Sequence, residues 1–194
     1  MAFSDLNWDW TTQRPSKEDS TILFCVPALS PVQFTDLGCW FEADENVASG
    51  CKSIAGNYVL LITPQGDLKT QLFIVSKADS IVIKLQSKHY DIVPLECVVY
   101  NAQAQTSSNP KIEHLRALAQ NKDGNWVMVT SREIVSRREL AHDLVEKEFQ
   151  QAFILETGTR DAGWYRYADA VFNIGRHPKS EPFQNNWLVL RSAQ

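Results

Sequence analysis

The sequence predicts an α+β domain: a curved antiparallel meander or small barrel over about 57–100, covered by one long amphipathic helix at about 137–157. Three observations carry this expectation. Residues 57–100 hold apolar segments of strand length separated by tight turns, which suits antiparallel pairing rather than β-α-β crossovers. Leu140, Ala141, Leu144, Val145, Phe149, Ala152 and Phe153 recur at helical spacing. An aromatic and basic stretch runs from Trp164 towards Arg191.

Within the meander, Asn57 to Thr63 reads as a strand, and Pro64-Gln-Gly-Asp67 as a turn, because Pro presets φ and Gly accepts positive φ. Leu68 to Ser76 alternates. Lys77 to Ser80 turns the chain, and Ile81, Ile83 and Leu85 oppose Val82, Lys84 and Gln86 in a further strand. Ser87 to His89 turns it again. Tyr90 to Tyr100 follows, with Pro94 marking an edge or a bulge. Asn109 as a cap and Pro110 at the first helical position predict a helix with Ile112, Leu115, Leu118 and Ala119 on one face. Asp123-Gly124 is a turn, and Trp126 to Val129 a short strand.

Two capping boxes, Thr130-Ser-Arg-Glu133 and Ser136-Arg-Arg-Glu139, compete to start the long helix, and Gly158 ends it. Further strands are expected near 21–26, 164–174 and 187–191. The whole chain of 194 residues reads as a single domain, with residues 1–20 a poorly structured polar segment.

Composition excludes several classes. At 44% apolar and 22% charged residues the chain is an ordinary globular one. No apolar run approaches the ~20 residues that span a bilayer, and the first residues do not form a secretory signal, so a cytoplasmic protein without a membrane partner is expected. Cys25, Cys39, Cys51 and Cys97 form no C-x-x-C pair and are read as small buried hydrophobes in a reducing compartment, with disulfides in one of three pairings as the alternative. Residues 1–50 carry two basic and eight acidic side chains, a balance of −6 against −4 for the whole chain, which leaves +2 for residues 51–194. Net charge therefore demands no polyanion partner.

The signatures of phosphate-loop, dinucleotide, zincin and α/β-hydrolase enzymes are absent. His142 and Glu146, at i and i+4 with Asp143 adjacent, form an acid–base or metal candidate, and His89, His114 or His177 would have to supply a third ligand. The polar side of an amphipathic helix carries such residues for solvation alone. Asp67, Lys69 and Glu96 suggest nuclease-like acid-and-lysine chemistry, although hairpin turns favour Asp and Lys in any case.

Trp164, Tyr165, Arg166, Tyr167, Arg176, His177 and Lys179 are the expected binding residues. Rings stack on flat groups, and guanidinium groups hold phosphates or carboxylates. The same alternation fits one more strand, with some rings in the core. Trp8, Trp10 and Trp40 either plug the end of a barrel or anchor a partner. A tryptophan near the start, a long antiparallel meander and an arginine near the end resemble the pattern of a lipocalin-like barrel. That resemblance implies a small planar or apolar ligand inside the barrel and carries no site residues.

The expected function is a non-catalytic binding or assembly protein that contacts a protein or anionic partner through the aromatic-basic C-terminal surface. A small-ligand β-barrel and an enzyme built on His142 and Glu146 are the alternatives. A protein partner is expected first, with nucleic acid or a small anionic or planar ligand behind it. No cofactor and no metal are expected.

Overall fold

Among the described residues antiparallel strands are the main secondary structure, and the two helices are short. The computed structural model describes residues 6–29, 58–72, 78–105, 110–157, 161–177, 179 and 186–192. In chain order the strands are β1 (Leu6–Thr11), β2 (Ile22–Pro27), β3 (Tyr58–Ile62) and β4 (Leu68–Leu72). Helix α1 (Ala78–Gln86) precedes β5 (Asp91–Val93), β6 (Cys97–Tyr100), β7 (Gln103–Ala104), β8 (Ile112–Glu113), β9 (Arg116–Gln120), β10 (Trp126–Thr130) and β11 (Val135–Ser136). Helix α2 (Arg137–Glu146) leads to β12 (Gln151–Leu155), β13 (Trp164–Tyr167), β14 (Ala170–Asn173) and β15 (Trp187–Ser192).

Among the described residues the strands form four sheets, ordered β1-β15-β2-β13-β14, β10-β9-β12-β6-β7, β4-β3-β5 and β11-β8. The expected α+β meander or barrel is therefore corrected. No sheet closes into a barrel among the described residues, and the lipocalin-like resemblance falls with it. The first sheet joins the two ends of the sequence, because β1 and β2 both pair with β15. The inner faces of the three larger sheets share one core built on Trp10, Val26, Leu60, Ile62, Val93, Leu118, Phe153 and Leu188. Non-local pairing of this kind leaves no periodic trace in a local window of sequence.

Three element assignments change. Residues 137–157 are not one helix: α2 stops at Glu146, the chain turns through Glu148 at φ +62°, and Gln151–Leu155 is a strand. Ala152 to Leu155 are all buried. A central strand covered on both faces is a short continuous apolar run, which periodicity alone cannot separate from a helix segment. The expected helix around 112–119 fails for the same reason, because Arg116, Ala117, Leu118 and Ala119 of β9 are all buried between layers. In the opposite direction, the expected strand at 81–86 belongs to α1, where Leu85 is buried and Ile83 is exposed.

Other expectations hold. The Ser136 capping box is the one formed: its hydroxyl accepts from the Glu139 amide and the Glu139 carboxylate accepts from the Ser136 amide. Leu140, Ala141 and Leu144 of α2 pack on Val99, Ala117, Ala119 and Ala152, the outer face of the second sheet. The strand at Tyr58–Ile62 and the turns at Pro64–Asp67 and Asp123-Gly124 are as read, and Pro94 lies in the break between β5 and β6. Residues 6–11 of the start expected to be poorly structured instead form β1. Cys25 and Cys97 are buried thiols, and burial pushes Cys97 up to about 12. Cys39, Cys51, Trp40, Asn109 and Gly158 lie outside the described residues.

The turn joining β3 and β4 locks the first sheet to the third. The Trp8 amide donates to the Gly66 carbonyl at 2.9 Å. Gly66 has φ +79°, and a Cβ there would come within 2.5 Å of Asn7 Cβ. Gly66→Ala is therefore expected to lose about 1–3 kcal/mol, read as a lower urea midpoint with an unchanged slope. A wild-type midpoint would show that β1 does not rest on this turn.

Candidate functional site

The alternation of a strand sorts the C-terminal aromatic and basic residues onto two faces. In the β13–β14 hairpin Trp164 pairs with Asn173, Tyr165 with Phe172, Arg166 with Val171 and Tyr167 with Ala170. Trp164 is fully buried beside Ile22, Cys25, Trp187 and Val189. Arg166 shares its face and lies over the Trp164 ring at 5.9 Å. Its guanidinium donates to the carbonyls of Lys17 at 2.6 Å, and of Ile22 and Asp19 at 3.2 Å each. Arg166 is thus a clamp on residues 17–22, committed to the fold, and Trp164 is core. Both had been expected to bind a partner.

The opposite face of the hairpin is open. Tyr165, Tyr167 and Phe172 are 39%, 75% and 44% exposed. Tyr165 and Phe172 stack with centroids 5.3 Å apart at 19°. Arg176, His177 and Lys179 follow in the chain, all exposed. Of the seven expected binding residues, the structure leaves five on the surface and takes two into the fold.

The root of this hairpin is a buried ion pair. Arg116 Nη2 lies 2.7 Å from Asp161 Oδ1, and each side chain is 2% exposed. Arg116 Nη1 also reaches the Ala162 carbonyl at 3.4 Å. Asp161 Oδ2 accepts from the Arg176 amide at 3.1 Å, and its carbonyl accepts from the His177 amide at 2.8 Å. Gly175, at φ +91°, passes so close that a Cβ would meet the Asp161 carbonyl at 2.5 Å. Burial pushes the Arg116 guanidinium below its ordinary value, Asp161 opposes that shift, and the charge of Arg176 adds to it. One carboxylate therefore fixes both ends of the segment that presents the aromatic face. The sequence held a signal for it: Leu115-Arg116-Ala117-Leu118-Ala119 sets one charge inside an apolar run, and a buried charge requires a partner.

The remaining candidates are scattered. His142, Asp143 and Glu146 lie exposed on α2. No group of three or more His, Cys, Asp or Glu that could hold a metal forms among the described residues. His89 is exposed in a turn at φ +55°, and the His114 carbonyl accepts from Thr157 Oγ1. Glu96 pairs with Arg137 at 2.8 Å, and Arg137 bridges on to Glu113 at 2.9 Å, which gives Glu96 a structural role. Asp67 and Lys69 instead line a half-open cleft of about 470 Å³ with Trp8 and Trp126. Trp10 is core. Sequence alone places Trp126 on a strand and marks no functional role for it.

No family model matches the chain, and no curated protein is similar enough to match it. Among solved structures, the fold is similar to that of the zebrafish N-acetylglucosamine-1-phosphodiester alpha-N-acetylglucosaminidase (NAGPA) catalytic domain, auto-inhibited by its pro-peptide. The TM-score is 0.57 at 11% identity, over 98% of this chain and 73% of that one. The likeness is one of fold, and a fold by itself carries no activity.

The loop that Arg166 clamps has a titratable support. Asp19 accepts from the Thr21 hydroxyl at 2.7 Å and amide at 3.0 Å, and from Arg191 at 3.1 Å. The Thr21 bonds, with Arg191 behind them, hold its carboxyl below the usual value. A depressed folded-state value means stability present above the ordinary carboxylate range and lost as pH falls through the lowered one. Asp19→Asn should thus be less stable than wild type at neutral pH, with the gap closing in acid. Urea midpoints across pH test this, and a gap independent of pH would refute it.

Proposed function

We propose that this chain is a non-catalytic binding protein that receives an acidic protein segment on its β13–β14 hairpin. The observation that carries the reading is the exposure of Tyr165, Tyr167 and Phe172 on one face, followed in the chain by the exposed Arg176, His177 and Lys179. Tyrosine and arginine are enriched at protein interfaces, because each adds a large contact area and a directed polar group at low entropy cost.

Two further features support it. β14 is the last strand of its sheet, so among the described residues its outer backbone groups face no neighbouring strand. An extended partner segment can add there by main-chain hydrogen bonding. The hairpin is also fixed in advance by the Arg166 clamp and the Asp161 anchor. A surface ordered before binding loses less entropy on association. The basic side chains select an acidic segment, and the aromatic face supplies the apolar contact. We place the protein in the cytoplasm, a reading that the buried thiols of Cys25 and Cys97 support.

The test is affinity capture with the full chain as bait. A partner held by wild type should be lost both from Tyr167→Ala/Phe172→Ala and from Arg176→Ala/Lys179→Ala. Purified, each pair should weaken affinity about tenfold. All these side chains are on the surface, so melting temperature should stay at the wild-type value. Retention of the partner by both variants would refute the assignment.

A further inference from the structure

We propose that the cleft between β1, the β3–β4 turn and the β9–β10 hairpin binds a neutral, planar heteroaromatic ring of nucleobase size. The cleft encloses about 470 Å³ and is walled by Trp8, Leu68, Trp126 and Leu190. That volume lies in the range of small-molecule sites, which are mostly apolar with a few placed polar groups.

The walls are braced from behind. Trp8 packs edge-on to Phe24 at 6.2 Å and 79°, and Trp126 lies tilted against Phe153 at 6.3 Å and 36°. The Gln120 amide is fixed on both sides: its Nε2 donates to the Gly124 carbonyl and its Oε1 accepts from Gln151, each at 3.0 Å. Gln151 in turn accepts from the Thr70 hydroxyl. The Trp8 amide holds the Gly66 turn in place. Two indoles held in this way offer stacking surfaces whose orientation is set before a ligand arrives.

The polar groups at the mouth define what stacks there. Asp67, Lys69 and Asn125 are exposed and line the cleft. Asp67 gives an anion and Asn125 an amide, while the Lys69 ammonium lies over the Tyr90 ring, 6.0 Å from its centroid. A phosphate would meet the Asp67 carboxylate at the mouth, so the site takes no anion. A carboxylate accepts and an amide both donates and accepts, which matches the mixed edge of a nitrogen heterocycle. A polyol would leave hydroxyls unpaired against Leu68 and Leu190. A flat ring covers those walls and the indoles with its faces and keeps its polar edge towards the mouth.

The site is separate from the β13–β14 surface, so either reading can fail without the other. The experiment titrates the full chain with adenosine and with uridine, following tryptophan fluorescence and calorimetry. Saturable quenching is expected with at least one of them. Trp126→Ala should weaken binding about tenfold, the scale of one stacking contact. Asn125→Arg, a change at an exposed position, should block the mouth and abolish binding while the melting temperature holds. Methyl glucoside and inorganic phosphate should not compete. Three outcomes would overturn the proposal: no saturable binding of either nucleoside, wild-type affinity in Asn125→Arg, or competition by the glucoside or phosphate at equal strength.

Discussion

The buried pair between Arg116 and Asp161 is the constraint on which the C-terminal architecture depends. Arg116 belongs to β9, a strand covered on both faces, and its side chain is as buried as the leucines around it. A guanidinium in that position is tolerable only beside a compensating charge, and desolvation offsets much of the attraction between the two. Such a pair adds little net stability relative to apolar residues of the same size. It specifies instead where the segment carrying Asp161 must lie. Asp161 accepts backbone hydrogen bonds from Arg176 and His177, so one carboxylate fixes the chain on both sides of the hairpin.

The rest of that surface follows. With its root fixed in the core, the hairpin has one face free to be committed inward. Trp164 fills the outer cluster with Trp187, and Arg166 reaches past it to collect three carbonyls of residues 17–22. The other face is left with a row of large side chains. Trp8, Leu190, Phe24, Tyr165 and Phe172 are successive register partners across the five strands of the first sheet. At ordinary strand spacing the row runs roughly 19 Å. It begins at the cleft and ends at the free edge of β14, passing from half-buried to exposed. The two candidate binding surfaces are thus opposite ends of one row of large side chains.

How much of this was legible in the sequence depends on whether the signal is local. The Ser136-Glu139 capping box, the Pro64–Asp67 turn and the apolar strand at 58–62 are decided by neighbours in the chain, and they form as read. The alternation of Trp164 and Arg166 against Tyr165 and Tyr167 was legible as a strand, but which of its faces is buried was not. What failed was any segment whose burial is set from a distance. β9 and β12 lie side by side in the middle of the second sheet, and their unbroken apolar runs imitate a helix face. α1 shows the converse, since Ile81, Ile83 and Leu85 fit alternation as well as a helical turn. The Arg116–Asp161 pair spans 45 positions, and spacing alone could not match its two members. The cleft likewise joins β1, a turn near residue 66 and a hairpin near residue 124, so Trp126 carried no mark of its role.

The most direct test of this account is the unfolding free energy of Asp161→Ala beside that of the double variant Arg116→Met/Asp161→Leu. If the pair is a placed, mutually compensating contact, the single change strands a charge in the core and should cost about 3–5 kcal/mol. The double change removes both charges and should recover most of that loss. A single variant close to wild type, or a double variant as unstable as the single, would contradict the claim that this pair holds the C-terminal hairpin in place.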